Sequence, residues 1–232
     1  MIWQLIRALR DGTPGDVMGE LLVRFAAMSF VIIFCLSVHE CAHAWAAKKL
    51  GDNTAWMHGR LTLNPSKHLD LIGTLMILFA GFGYAKPVPV NPRNFKNRKR
   101  GMALTAAAGP ASNLLMAVLF CLLAYTVCAI DGEAQNDLLT LLWKFFFAIF
   151  QSNVMLMVFN LIPFPPLDGS RILDLLLPAK ASDFLADHEH ILRWAVFGLL
   201  IFSSPIGWLG GLVSKGINAL VALPFPYTIT IY

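Results

Sequence analysis

Long apolar stretches alternate with short polar connectors along most of this chain. Three of these stretches, residues 21–50, 102–130 and 138–162, are longer than the ~20 residues with which a helix crosses the ~30 Å hydrocarbon core of a bilayer. The first is followed by Gly51-Asp52-Asn53, which is typical of a helix end. The pattern predicts three transmembrane helices in an all-α polytopic bundle.

A fourth apolar stretch, residues 71–83, is too short to cross the core as a helix. It ends in Gly81-Phe-Gly83 and leads into Lys86-Pro-Val-Pro-Val-Asn-Pro92, whose prolines exclude a helix. We therefore expect residues 71–92 to form a re-entrant or partly β-like element between the first and second full spans.

Both ends of the chain carry shorter segments. Residues 1–10 lack the sustained apolar run and cleavage site of a signal peptide, and they fit either a short interfacial amphipathic helix or a frayed tail. Toward the other end, a short helix is predicted over residues 170–177. Two apolar stretches, residues 191–203 and 206–225, are joined by a Ser-Ser-Pro sequence and predict a helical hairpin.

Composition and charge agree with a membrane protein and orient its loops. The chain is 57% hydrophobic and only 14% charged, whereas soluble domains carry about 25% charged residues, so a soluble enzyme is excluded. Six lysines and arginines lie between Lys86 and Arg100. The positive-inside rule places this basic loop in the cytoplasm and the acidic loop around Glu133 outside. Because apolar segments flank the basic loop, nucleic-acid binding is not indicated.

The run His39-Glu40-Cys41-Ala42-His43 lies near the end of the first apolar span. Histidines four residues apart on a helix are separated by about 40° around its axis, so both imidazoles can reach one zinc ion. Glu40 projects from a neighbouring face, where it can hold a zinc-bound water. Ionisable side chains inside a membrane span are costly and indicate a function. The run therefore predicts a hydrolytic zinc site at membrane depth.

A catalytic zinc site needs a third protein ligand at matching depth. Asp168 is the best candidate, because it is an isolated acid in a proline-rich break; its alternative role is to cap the helix that follows. His58 and His68 are rival ligands, although histidines in loops are more often solvated. The cluster Asp187-His-Glu-His190 is expected to begin a helix, or else to hold an accessory metal. The four cysteines have no CxxC spacing and indicate neither a disulfide framework nor a thiolate metal site.

The order of the spans brings Asp168 back toward the two histidines. If residues 71–92 do not cross the membrane, the second span begins on the cytoplasmic side, where the motif helix ends. The third span then returns to that side. Asp168 would follow it at a depth similar to that of His39 and His43, so we expect the site to lie nearer the cytoplasmic side.

Taken together, these motifs resemble the site-2 protease family of intramembrane zinc metalloproteases, in particular its compact bacterial branch without PDZ or CBS domains. The resemblance covers most of residues 36–175 in order and spacing. Its blocks are His39-Glu-Cys-Ala-His43, Leu50-Gly-Asp-Asn-Thr-Ala55, Gly59-Arg-Leu-Thr-Leu-Asn-Pro65, Gly81-Phe-Gly-Tyr-Ala-Lys-Pro-Val-Pro-Val-Asn-Pro92, Gly109-Pro-Ala-Ser-Asn113 and Asn160-Leu-Ile-Pro-Phe-Pro-Pro-Leu-Asp-Gly169.

The resemblance implies roles for individual residues. His39, His43 and Asp168 correspond to the ligands of one zinc ion per chain, and Glu40 corresponds to the general base. The implied activity is hydrolysis of peptide bonds in or near transmembrane segments of membrane proteins, as in regulated intramembrane proteolysis. The implied location is the bacterial inner membrane, with the lipid bilayer and a transmembrane substrate as partners.

Two further residues matter for substrate. Asn160 and Pro166 match positions that help to bind or orient it, and the Asn160 amide could hydrogen-bond substrate backbone or the developing oxyanion. The expected organisation is one integral membrane protease domain. Its interfacial segment, catalytic core and C-terminal hairpin are expected over residues 1–20, 21–178 and 179–232.

Two other functions would use some of the same residues. A zinc-binding membrane transporter would explain histidines and an aspartate at membrane depth, but it would not need Glu40 beside His39 and would usually show further ligands along a path. A non-catalytic binder of membrane helices could share the fold, but it has no use for an intact Glu40.

Overall fold

A computed structural model of the chain describes residues 14–80, 85–132, 136–192 and 205–222. Within these ranges the protein is built almost entirely of helices and contains no β-strand, which confirms the predicted all-α class. The α-helices are α1 (Pro14–Phe30), α2 (Leu36–Lys49), α3 (Thr54–Met57), α4 (Leu71–Ala80), α5 (Arg98–Asp131), α6 (Asp137–Asn160), α7 (Asp168–Leu176), α8 (Ala179–Asp187) and α9 (Pro205–Ala222).

Three helical stretches in the described residues are long and apolar enough to cross a membrane: Met18–Lys49, Arg98–Asp131 and Asp137–Asn160. They confirm the three predicted spans. The first helix is already formed at Pro14, where the described residues begin, so it starts before the expected residue 21. The predicted interfacial helix over residues 1–10 lies outside the described residues.

The second span also begins earlier than the apolar pattern suggested. Helix α5 starts at Arg98 because the side chain of Asn97 accepts a hydrogen bond from the backbone N–H of Arg100 over 3.0 Å. The basic residues of this first turn therefore belong to the helix rather than to the preceding loop.

The first span is not a uniform α-helix. Residues Val31–Cys35, between α1 and α2, form a π-helical turn, and such turns occur frequently at functional sites. The Ser37 hydroxyl donates a 2.7 Å hydrogen bond to the carbonyl of Ile33 just after this turn. The motif helix α2 ends at Lys49, and Gly51 then adopts a positive φ of 107° that starts the connector.

The core lies where α1, α5 and α6 pack together. Tyr125 from α5 and Ile149 and Phe150 from α6 are at most 1% exposed. A fully buried Asn153 donates from Nδ2 to the Ile149 carbonyl over 2.9 Å and to the Cys35 sulfur over 3.4 Å. Close packing and interhelical polar contacts of this kind hold helices together in a bilayer, where apolar burial alone does not.

The element between the first two spans is mostly helical in its first half. Residues Leu71–Ala80 form α4, and at about 1.5 Å per residue these residues extend over about half the thickness of the bilayer core. Among the described residues of this element, β-type pairing is an antiparallel bridge between Leu69 and Ala85, beside which Lys86 N–H donates to the His68 carbonyl over 2.7 Å.

A buried carboxylate fixes the connector to the basic loop. Asp52 is fully buried and accepts hydrogen bonds from Thr54, from the backbone N–H of Asn91 and from the side chain of Asn94. Burial raises the pKa of the Asp52 carboxyl, but these hydrogen bonds together lower it by more than burial raises it. The pKa of Asp52 therefore lies below its ordinary value.

The last described helices pack on the second and third spans. The Ser214 hydroxyl of α9 donates to the Gln151 side chain of α6 over 2.8 Å. At the start of α5, Lys99 Nζ donates to the carbonyls of Asp174 and Leu177 over 3.1 and 2.8 Å, which ties the end of α7 to the second span. Residues 193–204, which include most of the first arm of the predicted hairpin, lie outside the described residues.

Candidate metal centre

The two motif histidines face one another across one turn of α2. His39 and His43 are only 4% and 8% exposed. Their rings are nearly perpendicular, and their Nε2 atoms are 3.0 Å apart. The helical spacing thus brings both ring nitrogens to one point, as the sequence predicted.

Asp168, which is distant in the sequence, completes this group. Its Oδ2 atom lies 3.3 Å from Nε2 of His39 and 3.3 Å from Nε2 of His43. Asp168 is the first residue of α7, and the residue at the cap position is Leu167, which makes no side-chain capping bond to a described residue. The alternative that Asp168 caps the helix is therefore wrong.

The three atoms form a triangle that suits a zinc ion. A tetrahedral zinc ion with bonds of about 2.0–2.1 Å separates its ligand atoms by roughly 3.3–3.4 Å, close to the observed edges of 3.0, 3.3 and 3.3 Å. Asp168 Oδ2 is buried and has no hydrogen-bond partner among the described residues. A buried carboxylate oxygen between two imidazoles is costly unless a cation satisfies it, so the donor set fits zinc.

Helix α5 contacts both histidines at Nδ1, the ring nitrogen that does not face Asp168. The Thr105 carbonyl lies 2.8 Å from Nδ1 of His43, and the Asn113 side-chain amide lies 3.1 Å from Nδ1 of His39. Between them, Gly109 leaves room for the rings, because a Cβ there would lie 2.5 Å from Cε1 of each imidazole. Positions 105, 109 and 113 recur every fourth residue and so share one face of α5.

This supporting face was not identified from the sequence. The Gly109–Asn113 block belonged to the resemblance, yet no role was given to it. The recurrence of Thr105, Gly109 and Asn113 at every fourth position was the available signal. It does not show by itself which helix the face contacts.

In the part of the chain that the structure describes, the other candidate residues do not belong to the group of three converging side chains. Glu40, half-buried beside His39, contributes no atom to it. His58 and His68 bond instead to the backbone carbonyls of Thr54 and Thr62, and His188 of the Asp187–His190 cluster lies 2.8 Å from the Phe184 carbonyl. The rival third ligands are therefore not brought to the site.

Asn160 and Pro166 lie shortly before Asp168 in the sequence. Asn160 is the last residue of α6, and its side-chain N–H donates to the Leu156 carbonyl over 2.9 Å. Pro166 is exposed in the loop that joins α6 to α7. Gly169 allows this loop to fold closely, because a Cβ there would lie 2.5 Å from the carbonyl oxygen of Ile162.

Comparison with known proteins gives a consistent result. The family described as "Peptidase family M50" matches residues 126–203, which include Asp168 but not the His39–His43 motif. "Putative zinc metalloprotease YwhC" of Bacillus subtilis is 42% identical over 186 residues, covering 80% of this chain and 83% of the relative. "Putative zinc metalloprotease Rip2" of Mycobacterium tuberculosis H37Rv is 32% identical over 188 residues, covering 77% of this chain and 68% of the relative. No solved structure matches the chain.

Proposed function

This chain belongs to peptidase family M50, the site-2 protease family of intramembrane zinc metalloproteases, and on that premise we propose which of its residues perform the hydrolysis. His39, His43 and Asp168 are the ligands of one zinc ion per chain, in an HExxH-type site. Glu40 is the general base. The observation that supports this assignment is the convergence of three buried ligand atoms from two distant parts of the chain.

The residues divide the chemistry between them. When bound at this site, zinc would supply Lewis-acid activation of water and of the scissile carbonyl. Glu40 takes the proton of the attacking water and later delivers it to the leaving amine. The Asn160 amide hydrogen-bonds the substrate backbone or the developing oxyanion, and Pro166 shapes the loop against which the substrate lies.

The substrates are segments of membrane proteins, and their backbone must be exposed before attack. A helix hides its carbonyls in i→i−4 hydrogen bonds, so the scissile segment has to unwind locally. The extended chain after Ala85 and the loop at residues 161–167 offer backbone groups with which an unwound segment can pair. This requirement favours substrates with Gly, Pro or Asn near the cleavage point.

We place the protein in the bacterial inner membrane as one integral protease domain with its site nearer the cytoplasm. The basic residues at the start of α5 support this orientation, because positively charged loops are retained on the cytoplasmic side. The site then lies near the cytoplasmic start of the second span, where water has the shortest path to it.

The test is a change that removes the base and leaves the ligands. Glu40→Gln keeps the shape of the side chain but cannot accept a proton at neutral pH. We expect zinc to remain bound while cleavage of a transmembrane peptide falls by at least ~100-fold. Glu20→Gln is the matched control, because Glu20 lies on the same span and pairs with Arg24 at its surface.

The outcome also separates the protease from its alternatives. A zinc transporter would be almost unaffected by Glu40→Gln, because its ligands remain intact. Unchanged cleavage in Glu40→Gln would refute the assignment of the base. Normal zinc content without cleavage of any peptide by the wild type would favour a non-catalytic helix binder.

A further inference from the structure

Asn113 is a buried polar residue without an assigned role, and it contacts a proposed metal ligand. It is 0% exposed in the middle of α5, and its amide nitrogen is placed 3.1 Å from Nδ1 of His39. Its amide oxygen is also buried and has no hydrogen-bond partner among the described residues. A buried oxygen without a donor is costly, so this arrangement of the amide needs an explanation.

The protonation of His39 supplies the explanation. Nε2 of His39 points to Nε2 of His43 and Oδ2 of Asp168, and it needs a free lone pair to bind a metal. In a neutral imidazole the proton then sits on Nδ1, which can only donate. An amide N–H directed at Nδ1 would oppose one donor with another.

A half-turn of the amide removes this conflict. The two ends of an asparagine amide have nearly the same shape, and their assignment follows from the hydrogen-bond network. With the ends exchanged, the oxygen of Asn113 accepts from Nδ1–H of His39. The oxygen gains the donor that it lacked, the amide N–H groups move to the position that the oxygen held, and Nε2 of His39 is left free for the metal.

The same helix already treats the second histidine in this way. The Thr105 carbonyl can accept a hydrogen bond but cannot donate one, so the 2.8 Å contact fixes the proton of His43 on Nδ1. Asn113 lies two helical turns further along the same face of α5, opposite His39. Acceptors on the distal nitrogen of metal-bound histidines are a general feature of metal sites.

We propose that Asn113 is a positioning residue that accepts a hydrogen bond from Nδ1–H of His39 and thereby holds Nε2 toward the metal. Helix α5 then sets the tautomer of both histidines, through a backbone carbonyl for His43 and a side chain for His39. This inference rests on the proposed function, in which His39 is a zinc ligand.

The direction of the hydrogen bond can be tested with two substitutions of the same position. Asn113→Asp keeps an acceptor and removes the donor, whereas Asn113→Leu removes both at similar size. Zinc affinity is measured on the purified full-length chain by competition with a chelator, together with its thermal unfolding. Asn153→Leu is the matched control, because Asn153 is equally buried but contacts Cys35 rather than a ligand.

We expect Asn113→Leu to weaken zinc binding by about 10–100-fold, the usual effect of losing such a partner. Asn113→Asp should bind zinc at least as tightly as the wild type, and Asn153→Leu should bind it normally. Equal losses in Asn113→Asp and Asn113→Leu would show that the amide donates, and wild-type affinity in Asn113→Leu would show that it has no role. Either result overturns the proposal.

A second measurement does not depend on how well the variants fold. Nitrogen-15 NMR of labelled histidines in the zinc-loaded wild type should show His39 protonated on Nδ1, whereas protonation on Nε2 overturns the proposal.

His39→Ala separates this inference from the proposed function. If His39→Ala retains zinc fully, the ligand assignment itself is wrong; if His39→Ala loses zinc while Asn113→Leu does not, only the role of Asn113 fails.

Discussion

An alanine at position 109 would place a methyl group against the two proposed histidine ligands. Gly109 faces them from α5, and an added Cβ would lie 2.5 Å from Cε1 of His39 and of His43, and nearer still to Nε2 of His43. Carbon atoms in contact settle at about 3.5–4.0 Å, so the rings or the helix must move by about 1 Å.

That displacement is large on the scale of a metal site. Distances between ligands and metal are held to within about 0.2 Å, so a shift of about 1 Å removes one histidine from the coordination sphere. We expect Gly109→Ala to lower zinc affinity by on the order of 100-fold or more, beyond the usual range for a supporting residue. The helix itself should tolerate the change, since alanine favours helix formation over glycine.

The assay is zinc affinity by chelator competition, with thermal unfolding measured on the same samples. Two glycines of α9 serve as controls. A Cβ at Gly211 meets no described atom within 4 Å, whereas one at Gly210 presses on the flexible sulfur end of Met155. Gly211→Ala should change neither property, and Gly210→Ala should change only stability. Wild-type zinc affinity in Gly109→Ala would refute the close approach of α5 to the imidazoles.

Three further predictions concern the ligands, the topology and pH. Alanine at each proposed ligand should lower the zinc content from one per chain, as measured by metal analysis, whereas alanine at His58 or His68 should not; the ligands are His39, His43 and Asp168. Reporter fusions should place the basic segment around Arg98 in the cytoplasm and the loop around Glu133 outside, and reporters on one common side would contradict the proposed orientation. The pKa of Asp52 is lower in the folded protein than in the unfolded chain, so its carboxylate stabilises the fold above the unfolded pKa of about 4, and this stability is lost as pH falls through the folded pKa. Asp52→Asn should therefore be less stable than the wild type at pH 7 and lose less stability between pH 5 and pH 2 in unfolding experiments, and parallel pH curves would refute the role of Asp52.

Hydropathy predicted the spans well because a bilayer imposes one strong requirement on length and polarity. The ends of the helices were harder to predict. Helix α5 extends back to Arg98, capped by Asn97, and the first helix extends back at least to Pro14, although neither extension is apolar enough to stand out. Length also predicted that residues 71–83 are too short to span, but not that Leu71–Ala80 would be helical with the Leu69–Ala85 bridge beside it.

The site was predictable as far as chain order and helical spacing reach. The spacing of His39 and His43 predicted that both rings meet, and counting the spans predicted that Asp168 returns toward them; the three side chains do converge in the structure. The roles of these residues remain predictions. The supporting contacts of Thr105 and Asn113 depend on which face of α5 meets α2, and that is decided by the packing of two helices distant in sequence.

The distribution of the three converging residues has a consequence for biosynthesis. His39 and His43 lie in the first span, whereas Asp168 follows the last of the three candidate spans in the described part of the chain. Because synthesis proceeds from the N-terminus, an emerging chain holds only two of the three proposed ligands until the last of these spans has entered the membrane. A chain that inserts this span in the wrong direction keeps Asp168 on the opposite side. If these three residues hold the metal as proposed, the site forms only in correctly inserted molecules, and an unfinished chain lacks the complete site that cleavage requires.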